Sequence, residues 1–473
     1  MKNKIKHIHF IAICGTGMGS LAAMLKSQGY KITGSDEHVY PPMSTFLEAR
    51  GIKIFQGFNE AHLNPKPDLV IIGNAMSRGN PEVEAVLEQK IHYTSMPAAL
   101  KEFFIQGKQS VVVAGTHGKT TTSSLVAWLL ESAGRKPNFL IGGIPQNFNQ
   151  GFKLDDGNIF VVEGDEYDSA FFDKAAKFFH YLPDIVVLNN IEYDHADIYD
   201  NLDQIKLSFR RLINLIPMNG LLLAGSDDAN VMEIVHAAFC PVQTYGLNNN
   251  FYWAAQNIKY SAQNTSFDVI KENKFFGNFT IPLFGDHNIR NALAAIGAAH
   301  FYGLTVSEMR KGLLSFKSIK KRLEIRAIIN DITIYDDFAH HPTEVKTTIE
   351  GLRNQYPSRK IWAIFEPRTS TSKRKVMEKS YAEAFDAADI VILAPLHLPH
   401  KVKEEERLSV QALVNQIKNR NKDAHYIKSI NQIVNYIINN AQPKDLLLIM
   451  SNGSFGGIHD LLMERLSLEE NGK

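Results

Sequence analysis

Short apolar runs recur along this chain of 473 residues, and each is followed by glycine or polar residues and then by an amphipathic segment. Such runs are typical of strands buried on both faces of a parallel sheet, with helices crossing between them. The chain is too long for one hydrophobic core, and at roughly 100 to 200 residues per domain it holds about three domains. The alternation therefore predicts a three-domain α/β protein.

The first alternation covers residues 1–105. The run IHFIAIC predicts a strand, GTGMGS a tight turn, LAAMLKSQGY a helix that closes at Gly29, and KITGSD a second strand. DLVIIG and PEVEAVLEQK continue the pattern, so we expect a Rossmann-like domain. LKEFFIQGKQS, which comes next, is expected to be a linker.

The second and third alternations cover residues 106–316 and 317–473. The second opens with the strand SVVVAG, and two further buried runs end in carboxylates. A polar, aromatic stretch then alternates as antiparallel strands do, and an alanine-rich helix follows GDHNIRN. We expect a central mixed sheet of the P-loop ATPase type and a C-terminal Rossmann-like domain.

Composition narrows the class of protein. The formal net charge of +1 argues against a general affinity for nucleic acid or an anionic membrane surface. Two cysteines, Cys14 and Cys240, cannot build a disulfide framework and are expected to be plain buried thiols. The apolar run near the N-terminus leads into glycines instead of a cleavage site, and no run reaches the ~20 apolar residues of a membrane span. We expect a cytoplasmic enzyme, either a monomer or a weak homodimer.

The stretch GTHGKTT, residues 115–121, predicts a phosphate-binding loop. Gly115 and Gly118 let backbone N–H groups surround an anion at the start of a helix, and Lys119 can reach phosphates. Thr120 offers a hydroxyl group to Mg²⁺. The loop is a short G-x-x-G-K-T, because valine stands where the usual motif has its first glycine. A chance glycine turn is the alternative, and the strand before and the helix after argue against it.

Acidic residues and one histidine follow two later strands of the same predicted sheet. They are Glu163, Asp165, Glu166 and Asp168 after the first, and Glu192, Asp194, His195 and Asp197 after the second. Solvated loop acids are the alternative. Because Mg²⁺ prefers oxygen ligands and Lys119 lies on the same sheet, metal binding is favoured.

The earlier glycine loop is less specific. Gly15, Gly17 and Gly19 precede a helix, and Asp36 ends the next strand, as in a dinucleotide fingerprint. Ser20 stands where that fingerprint has its third glycine. The loop suits NAD, and it equally suits the diphosphate of a sugar nucleotide.

Three further polar stretches are candidates for binding. In GDHNIRN, the side chains of His287, Asn288 and Asn291 could read an adenine edge, while helix capping by Asp286 or Asn288 is the alternative.

The other two stretches lie in the third domain. DDFAHHPTE concentrates Asp336, Asp337, His340 and His341 in a predicted loop, too close in sequence for a comfortable zinc site. EPRTSTSKR sets basic residues beside hydroxyl groups, which suits a carboxylate or phosphate, with a solvated basic helix start as the alternative.

Taken in order over three α/β domains, GTHGKTTT, EGDEYDS, NNIEYDHAD, GDHNIRN and DDFAHHPTE resemble the Mur ligase family. These are ATP-dependent, amide-forming enzymes of peptidoglycan assembly. CGTGMGS and GSD are similar to the branch that handles UDP-N-acetylmuramate. The resemblance implies that the chain uses ATP and Mg²⁺ and takes UDP-N-acetylmuramate as a substrate.

Other stretches resemble the members that add the murein tripeptide, L-alanyl-γ-D-glutamyl-meso-diaminopimelate. They include YPPMS, EPRTSTSK and MSNGSFGGIH. The L-alanine-adding members typically have Tyr-Gly where Phe338 and Ala339 stand. Ligation of L-alanine is the nearest alternative. An NAD-dependent oxidoreductase rests only on the first loop, and a P-loop ATPase switch would make no bond.

The resemblance also implies roles for single residues at the nucleotide. Lys119 would hold the β- and γ-phosphates, Thr120 and Glu163 would bind one Mg²⁺, and His195 would bind a second Mg²⁺ shared with Glu163. The remaining ATP contacts would come from Gly115, Thr116, His117, Gly118, Thr121, His287, Asn288, Asn291, Arg322, Asp337 and His340.

At the other substrates the implied contacts are Gly15, Thr16, Gly17, Met18, Gly19, Asp36, Asn74 and Ala75 around the UDP diphosphate, and Arg368 at the peptide. Several relatives carry a carbamylated lysine about fifteen residues beyond the histidine matching His195. That place is Arg210 here, with Lys206 out of register, so no carbamate is assigned.

Overall fold

The computed structural model describes residues 5–196, 198–248, 250–261 and 263–471, so the candidate acid Asp197 lies outside the described residues. Within these residues the strands form three large sheets and one two-stranded ribbon. The α/β class and the succession of three sheets along the chain are as predicted. The domain boundaries near residues 105 and 316 stay predictions.

The first sheet is parallel throughout. Its elements are β1 (His7–Ile11), α1 (Thr16–Ser27), β2 (Lys31–Asp36), α2 (Met43–Glu48), β3 (Lys53–Gln56), β4 (Leu69–Ile72), α3 (Pro81–Glu88), β5 (Tyr93–Ser95) and α4 (Met96–Leu100). The strand order is β3-β2-β1-β4-β5, a Rossmann-like order that reverses beside β1.

The expected linker after this sheet is helical. A π-helix, Lys101–Ile105, continues α4 without a break. Phe104 and Ile105 are buried in the first core, so the segment is ordered by the apolar surface it covers.

The middle sheet has ten strands among the described residues and is mixed. Its elements and the ribbon are β6 (Gln109–Ala114), α5 (Lys119–Ser132), β7 (Asn138–Leu140), β8 (Phe152–Lys153), β9 (Ile159–Gly164), β10 (Asp168–Ala170), β11 (Asp173–Ala176), β12 (Pro183–Leu188), α6 (Leu202–Ile213), β13 (Leu221–Gly225), α7 (Ala229–Ile234), β14 (Val242–Gly246), β15 (Trp253–Tyr260), β16 (Thr265–Lys271), β17 (Lys274–Ile281), α8 (Asp286–Phe301) and α9 (Val306–Leu314). The order is β17-β16-β15-β14-β13-β12-β6-β9-β7-β8, and the predicted antiparallel strands are β15 to β17.

The third sheet has the order β18-β19-β23-β20-β21-β22, and β18 is its antiparallel edge. Its elements are β18 (Glu324–Ile329), β19 (Ile332–Asp337), α10 (Pro342–Gln355), β20 (Ile361–Phe365), α11 (Glu378–Ala384), β21 (Ile390–Leu393), α12 (Val410–Asn419), β22 (Asp423–Tyr426), α13 (Ile430–Asn440), β23 (Leu446–Met450) and α14 (Ile458–Asn471).

Strand β6 shows why the apolar runs are continuous. Val112 and Ala114 belong to the core that the middle sheet shares with the first domain, and Val111 and Val113 point into the core under α5 and α8. Successive side chains of a strand face opposite ways, so where both faces are covered, consecutive residues are apolar. No helix formed by the described residues has the length and apolarity to cross a bilayer.

The sheet register brings the candidate residues to one edge. Ala114 at the end of β6 pairs with Gly164 of β9 and with Leu188 of β12. The phosphate loop, the EGDEYD acids and the NNIEYDH segment therefore all leave the sheet side by side, at its carboxyl edge.

A fully buried carboxylate in the first domain was not singled out from the sequence. The oxygens of Glu82 lie 3.3 Å from His9 Nε2 and 2.6 Å from His62 Nδ1, and the Ser35 hydroxyl donates to the same carboxylate. Burial opposes ionisation of Glu82, but the hydrogen bonds from His9 and Ser35 hold its pKa below the usual value.

We expect the Glu82→Ala variant to be destabilised by about 3 kcal/mol, because it leaves buried imidazole groups without their acceptor. Thermal unfolding and hydrogen exchange of β1 and β2 would measure this. Glu84→Ala is the matched control, since Glu84 lies on the same helix and pairs at the surface with the exposed Arg78 and the Gly79 N–H. Equal melting of the two variants would contradict the expectation.

Candidate active site

The phosphate loop is held in a shape that requires glycine. Gly115 and Gly118 have φ angles of +122° and +78°, and α5 begins at the next residue, Lys119. A Cβ atom on Gly115 would lie 2.9 Å from the carbonyl oxygen of Asn190, and one on Gly118 would lie 2.7 Å from Asn291 Oδ1. The loop is therefore packed tightly against two other segments of the site.

Lys119 is folded back onto its own loop and an acid. Its Nζ donates to the Gly115 carbonyl oxygen at 2.7 Å and to both carboxylate oxygens of Glu166, at 2.9 and 3.1 Å. Glu166 is buried, with 2% of its side chain exposed. Burial disfavours the charged amine, but Glu166 and Asp165 raise the pKa of Lys119. The lysine is thus a buried cation with an anion already in place.

The structure pairs His195 with Glu166, whereas the resemblance implied a metal shared between His195 and Glu163. His195 Nε2 lies 3.0 Å from Glu166 Oε1. Glu163 instead accepts the Gly142 N–H at 2.9 Å and contacts Thr120. The predicted metal ligands thus form two groups: Glu163 lies with Thr120, and His195 lies with Glu166.

Among the described residues, two sets of side chains could each hold a metal ion, because the potential ligand atoms within each set lie within 4.8 Å of one another. One set is Asp165, Glu166 and His195, and the other is His117, Glu192 and His341. Lys177 and Lys119 outweigh the burial of Asp165 and lower its pKa to about 2. The first set is therefore rich in ionised oxygen donors, as a hard divalent cation requires.

The second set joins the middle and C-terminal domains. His117 Nε2 and His341 Nδ1 both lie 3.5 Å from Glu192 Oε2, and the two imidazole rings are 4.5 Å apart. Although burial opposes it, Glu192 and Glu344 raise the pKa of His117 to about 9. Burial and the charge of His117 lower the pKa of His341 to about 4. At neutral pH one histidine is charged and the other is neutral.

Two hydroxyl groups complete this seam between the domains. Thr343 Oγ1 donates to Glu192 Oε2 and Thr371 Oγ1 donates to Asp194 Oδ1, both at 2.6 Å. Each bond runs from the C-terminal domain to a carboxylate that follows β12. The two domains are therefore docked in a closed arrangement.

A cavity of about 410 Å³ opens beside the loop, between the same two domains. Many of the predicted nucleotide contacts line it: His117, Gly118, Thr121, His287, Asn288, Asn291, Arg322 and Asp337. Burial, helped by Arg290 and Arg322, lowers the pKa of His287 to about 4, so its imidazole is neutral.

The start of α8 is not capped by the residues offered as the alternative. Its N-cap is Gly285, without a side-chain cap bond. Asn288 Nδ2 donates to the Phe284 carbonyl oxygen at 2.7 Å, and Asn291 Oδ1 accepts from the Thr122 hydroxyl at 3.1 Å. These amides are part of the cavity wall, because the loop packs directly on them.

The acids of DDFAHHPTE are not in a loop, which corrects that expectation. Asp336 and Asp337 end the buried strand β19. Asp337 accepts the N–H groups of Leu323 and Ala339, each at 2.8 Å, and burial raises its pKa to about 6 against the opposing charge of Arg322. His340 Nδ1 lies 3.3 Å from Glu344 Oε2.

The first glycine stretch is a helix start more than a turn, since α1 already begins at Thr16. The N–H groups of residues 16–18 come before the first intrahelical bond, from Gly19 N–H to the Gly15 carbonyl oxygen at 2.8 Å. Such N–H groups at a helix start bind anions. Met18 buries its side chain in the first core.

Asp36 stabilises the residues before α1 by accepting the Cys14 N–H at 2.8 Å. Cys14 is only partly buried, unlike Cys240 and unlike the expectation for both thiols. Asn74 and Ala75 are exposed just after β4, the strand beside β1. The predicted UDP contacts thus share one sheet edge.

The basic stretch after β20 is not a solvated helix start, because Lys373 is buried. Arg368 lies against Gly453, where a Cβ would come within 2.4 Å of its Nε, and its guanidinium is 3.5 Å from Glu366 Oε2. Lys206 pairs with Glu233 at 2.7 Å and Arg210 is exposed, so neither stands in for a carbamylated lysine.

Sequence reasoning missed several residues that hold the site. Asn190 Oδ1 accepts the His117 N–H at 2.7 Å, and Asn189 Nδ2 donates to the His117 carbonyl oxygen at 3.0 Å. Two asparagines directly after a buried strand were the available signal. Glu344 carried no such signal, because it lies on α10 and reaches the loop only through domain docking.

Family comparison agrees with this architecture. The description "Mur ligase family, catalytic domain" matches residues 7–107, "Mur ligase middle domain" matches residues 113–299, and "Mur ligase, glutamate ligase domain" matches residues 321–453. The chain belongs to the Mur ligase family. By class it is an ATP-dependent, ADP-forming amide ligase.

Two relatives are similar over nearly the whole chain. Both are named UDP-N-acetylmuramate–L-alanyl-γ-D-glutamyl-meso-2,6-diaminoheptandioate ligase. The protein of Escherichia coli K12 is 41% identical and that of Haemophilus influenzae Rd 42% identical, covering 97% and 98% of this chain and 98% and 100% of theirs. A solved murein peptide ligase of Psychrobacter arcticus 273-4 is 36% identical, with a TM-score of 0.72 and 98% of each chain covered.

We expect Glu166→Gln to lower kcat for ADP formation by about 100-fold, because the neutral amide no longer holds Lys119 and His195 in place by charge. Steady-state ADP release would measure it. Asp168→Asn is the control, since the structure places Asp168 on β10, paired with the exposed Lys174 and outside the set formed by Asp165, Glu166 and His195. A Glu166→Gln enzyme as active as this control would contradict the assignment.

The His117 ion pairs predict a pH-dependent stability. The pKa of His117 rises from 6.5 to about 9 on folding, so the pairs contribute fully below pH 6.5 and are lost as the pH rises through 9. Over that range, the wild type should lose on the order of 1–3 kcal/mol more stability than His117→Asn. Parallel Tm curves for the two proteins from pH 6.5 to 9.5 would speak against it.

Proposed function

We propose that this enzyme joins UDP-N-acetylmuramate to L-alanyl-γ-D-glutamyl-meso-diaminopimelate with conversion of ATP to ADP, in peptidoglycan recycling. The observation that carries the proposal is the convergence of a phosphate loop, two acidic segments and a closed C-terminal domain on one sheet edge. The two full-length relatives named for this reaction support the choice of substrates.

ATP fits the 410 Å³ cavity and the loop beside it. The positive φ angles of Gly115 and Gly118 open backbone N–H groups to an anion, and Lys119 already holds an anionic group, the carboxylate of Glu166. A phosphate would take over that contact. His287, Asn288 and Asn291 would lie at the adenine, and Arg322, Asp337 and His340 would close over the ribose and the γ-phosphate.

Mg²⁺ suits the donor set present. Thr120 and Glu163 would hold one ion, and His195 would hold a second, for which Glu166 is a nearer partner than Glu163. When bound, the ions neutralise negative charge on the phosphates during phosphoryl transfer. Burial raises the pKa of Glu163, and a bound cation would stabilise the ionised form of its carboxylate.

A carboxylate does not react with an amine unless it is first activated. Oxide is a poor leaving group, so the lactyl carboxylate of UDP-N-acetylmuramate takes the γ-phosphoryl group of ATP and becomes an acyl phosphate. The α-amine of the peptide attacks the acyl carbon, the amide bond forms, and phosphate leaves with the oxygen. Lys119 stabilises the charge that develops on the transferred group.

The acyl phosphate must be protected from water, and the docked C-terminal domain supplies that protection. The Thr343–Glu192 and Thr371–Asp194 hydrogen bonds cover the ends of the middle strands. Residues 15–19, Asp36, Asn74 and Ala75 would hold the UDP diphosphate in the first domain, and Arg368 would face the peptide.

The test is ADP release by the purified enzyme with ATP, Mg²⁺ and UDP-N-acetylmuramate. We expect turnover with the tripeptide and only background with free L-alanine, and Lys119→Ala should lose at least about 1,000-fold in kcat because it removes the phosphate contact. Mass spectrometry of the UDP-linked product identifies the bond made. Turnover with L-alanine alone would assign the L-alanine ligase activity, and ATP hydrolysis without UDP-N-acetylmuramate would assign a P-loop ATPase switch.

A further inference from the structure

A second cavity, of about 800 Å³, lies between the middle and C-terminal domains, and we refer to it as the outer pocket. One wall is formed by Tyr193, Ala196, Asp200, Asn201 and Leu202. The other is formed by residues 374–376, 401–403 and Glu406. It shares no lining residue with the cavity proposed for ATP.

The outer pocket adjoins the segment that carries Asp194 and His195. Tyr193 and Ala196 line it, and they flank Asp194 and His195 in the sequence. His195 contacts Glu166, which in turn holds Lys119. The outer pocket is therefore joined to the phosphate loop through the contacts of His195, Glu166 and Lys119.

Charge in the outer pocket is unbalanced. Four cationic side chains line it against two carboxylates, and one of these cations, Arg374, is already paired with Glu406. No carboxylate of the described residues lies within ion-pair distance of the ammonium groups of Lys375, Lys401 or Lys403. The surplus suits a ligand with more than one carboxylate.

Two further observations agree with an anionic ligand. Arg374 Nε is buried and has no acceptor among the described residues. Burial, together with the charges of Lys401 and Arg368, lowers the pKa of the neighbouring Lys373. Asp200 lies on the opposite wall and can meet an ammonium group, so the pocket offers contacts of both signs.

We propose that the outer pocket binds the third residue of the peptide and selects for a side chain that ends in both a carboxylate and an ammonium group. Lys401 and Lys403 pair with the carboxylates, and Asp200 pairs with the ammonium. This assignment rests on the proposed function. Free L-alanine would leave most of the 800 Å³ empty, which explains why the enzyme would favour a peptide.

The experiment compares the wild type with the double variant Lys401→Gln/Lys403→Gln, at saturating ATP and UDP-N-acetylmuramate. Two peptides are used: L-alanyl-γ-D-glutamyl-meso-diaminopimelate, and the same peptide ending in L-lysine, which lacks the distal carboxylate. KM and kcat come from ADP release, and calorimetry with a non-hydrolysable ATP analogue gives Kd directly. Lys418→Gln, an exposed lysine at the far end of α12, is the matched control.

The double variant should raise KM and Kd for the diaminopimelate peptide by about tenfold or more, with kcat nearly unchanged, since charge-assisted contacts are lost. The lysine peptide, which keeps only the α-carboxylate, should lose less affinity than the diaminopimelate peptide, and Lys418→Gln should match the wild type. An unchanged Kd for the diaminopimelate peptide would overturn the assignment, and so would equal losses for both peptides. A wild type that binds the peptide without ligating it would instead count against the proposed function alone.

Discussion

The buried ammonium group of Lys119 is the constraint around which the site is built. A cation at the start of a buried helix needs an anion, because burying an unpaired charge costs far more than a hydrogen bond returns. Glu166 supplies that anion and is itself held by His195. Asp165 keeps its charge through Lys177. Each of these groups is thus paired with a group from another segment of the chain.

Buried charges are also paired across the boundary between the middle and C-terminal domains. His117 sits in the loop, yet its charge is stabilised by Glu192 from the middle sheet and Glu344 from α10. Loop shape, histidine charge and domain docking are therefore linked in one network. The cavity beside the loop and the outer pocket both lie between these two domains.

The alternation of apolar runs predicted the three-sheet α/β architecture, because strands covered on both faces are mostly apolar. The motifs also predicted many of the residues that lie at the cavity and the loop beside it. Lys119 begins α5 and Asn291 lies near the start of α8, and backbone N–H groups at a helix start are free to bind ligands. The helical continuation to Ile105 was missed, because its apolar residues do not reveal which core they cover.

Sequence by itself determined the fold class, the two glycine-rich helix starts and the set of acids after the middle strands, because each depends on local spacing and on the burial of neighbouring positions. Only the tertiary structure decided which groups meet. Glu166 lies against both Lys119 and His195, and Glu344 lies beside His117, because strand register and domain docking bring together residues far apart in the chain. Pairing between such residues leaves no periodic signal in a single sequence, since its energy comes from contacts that local propensity does not encode.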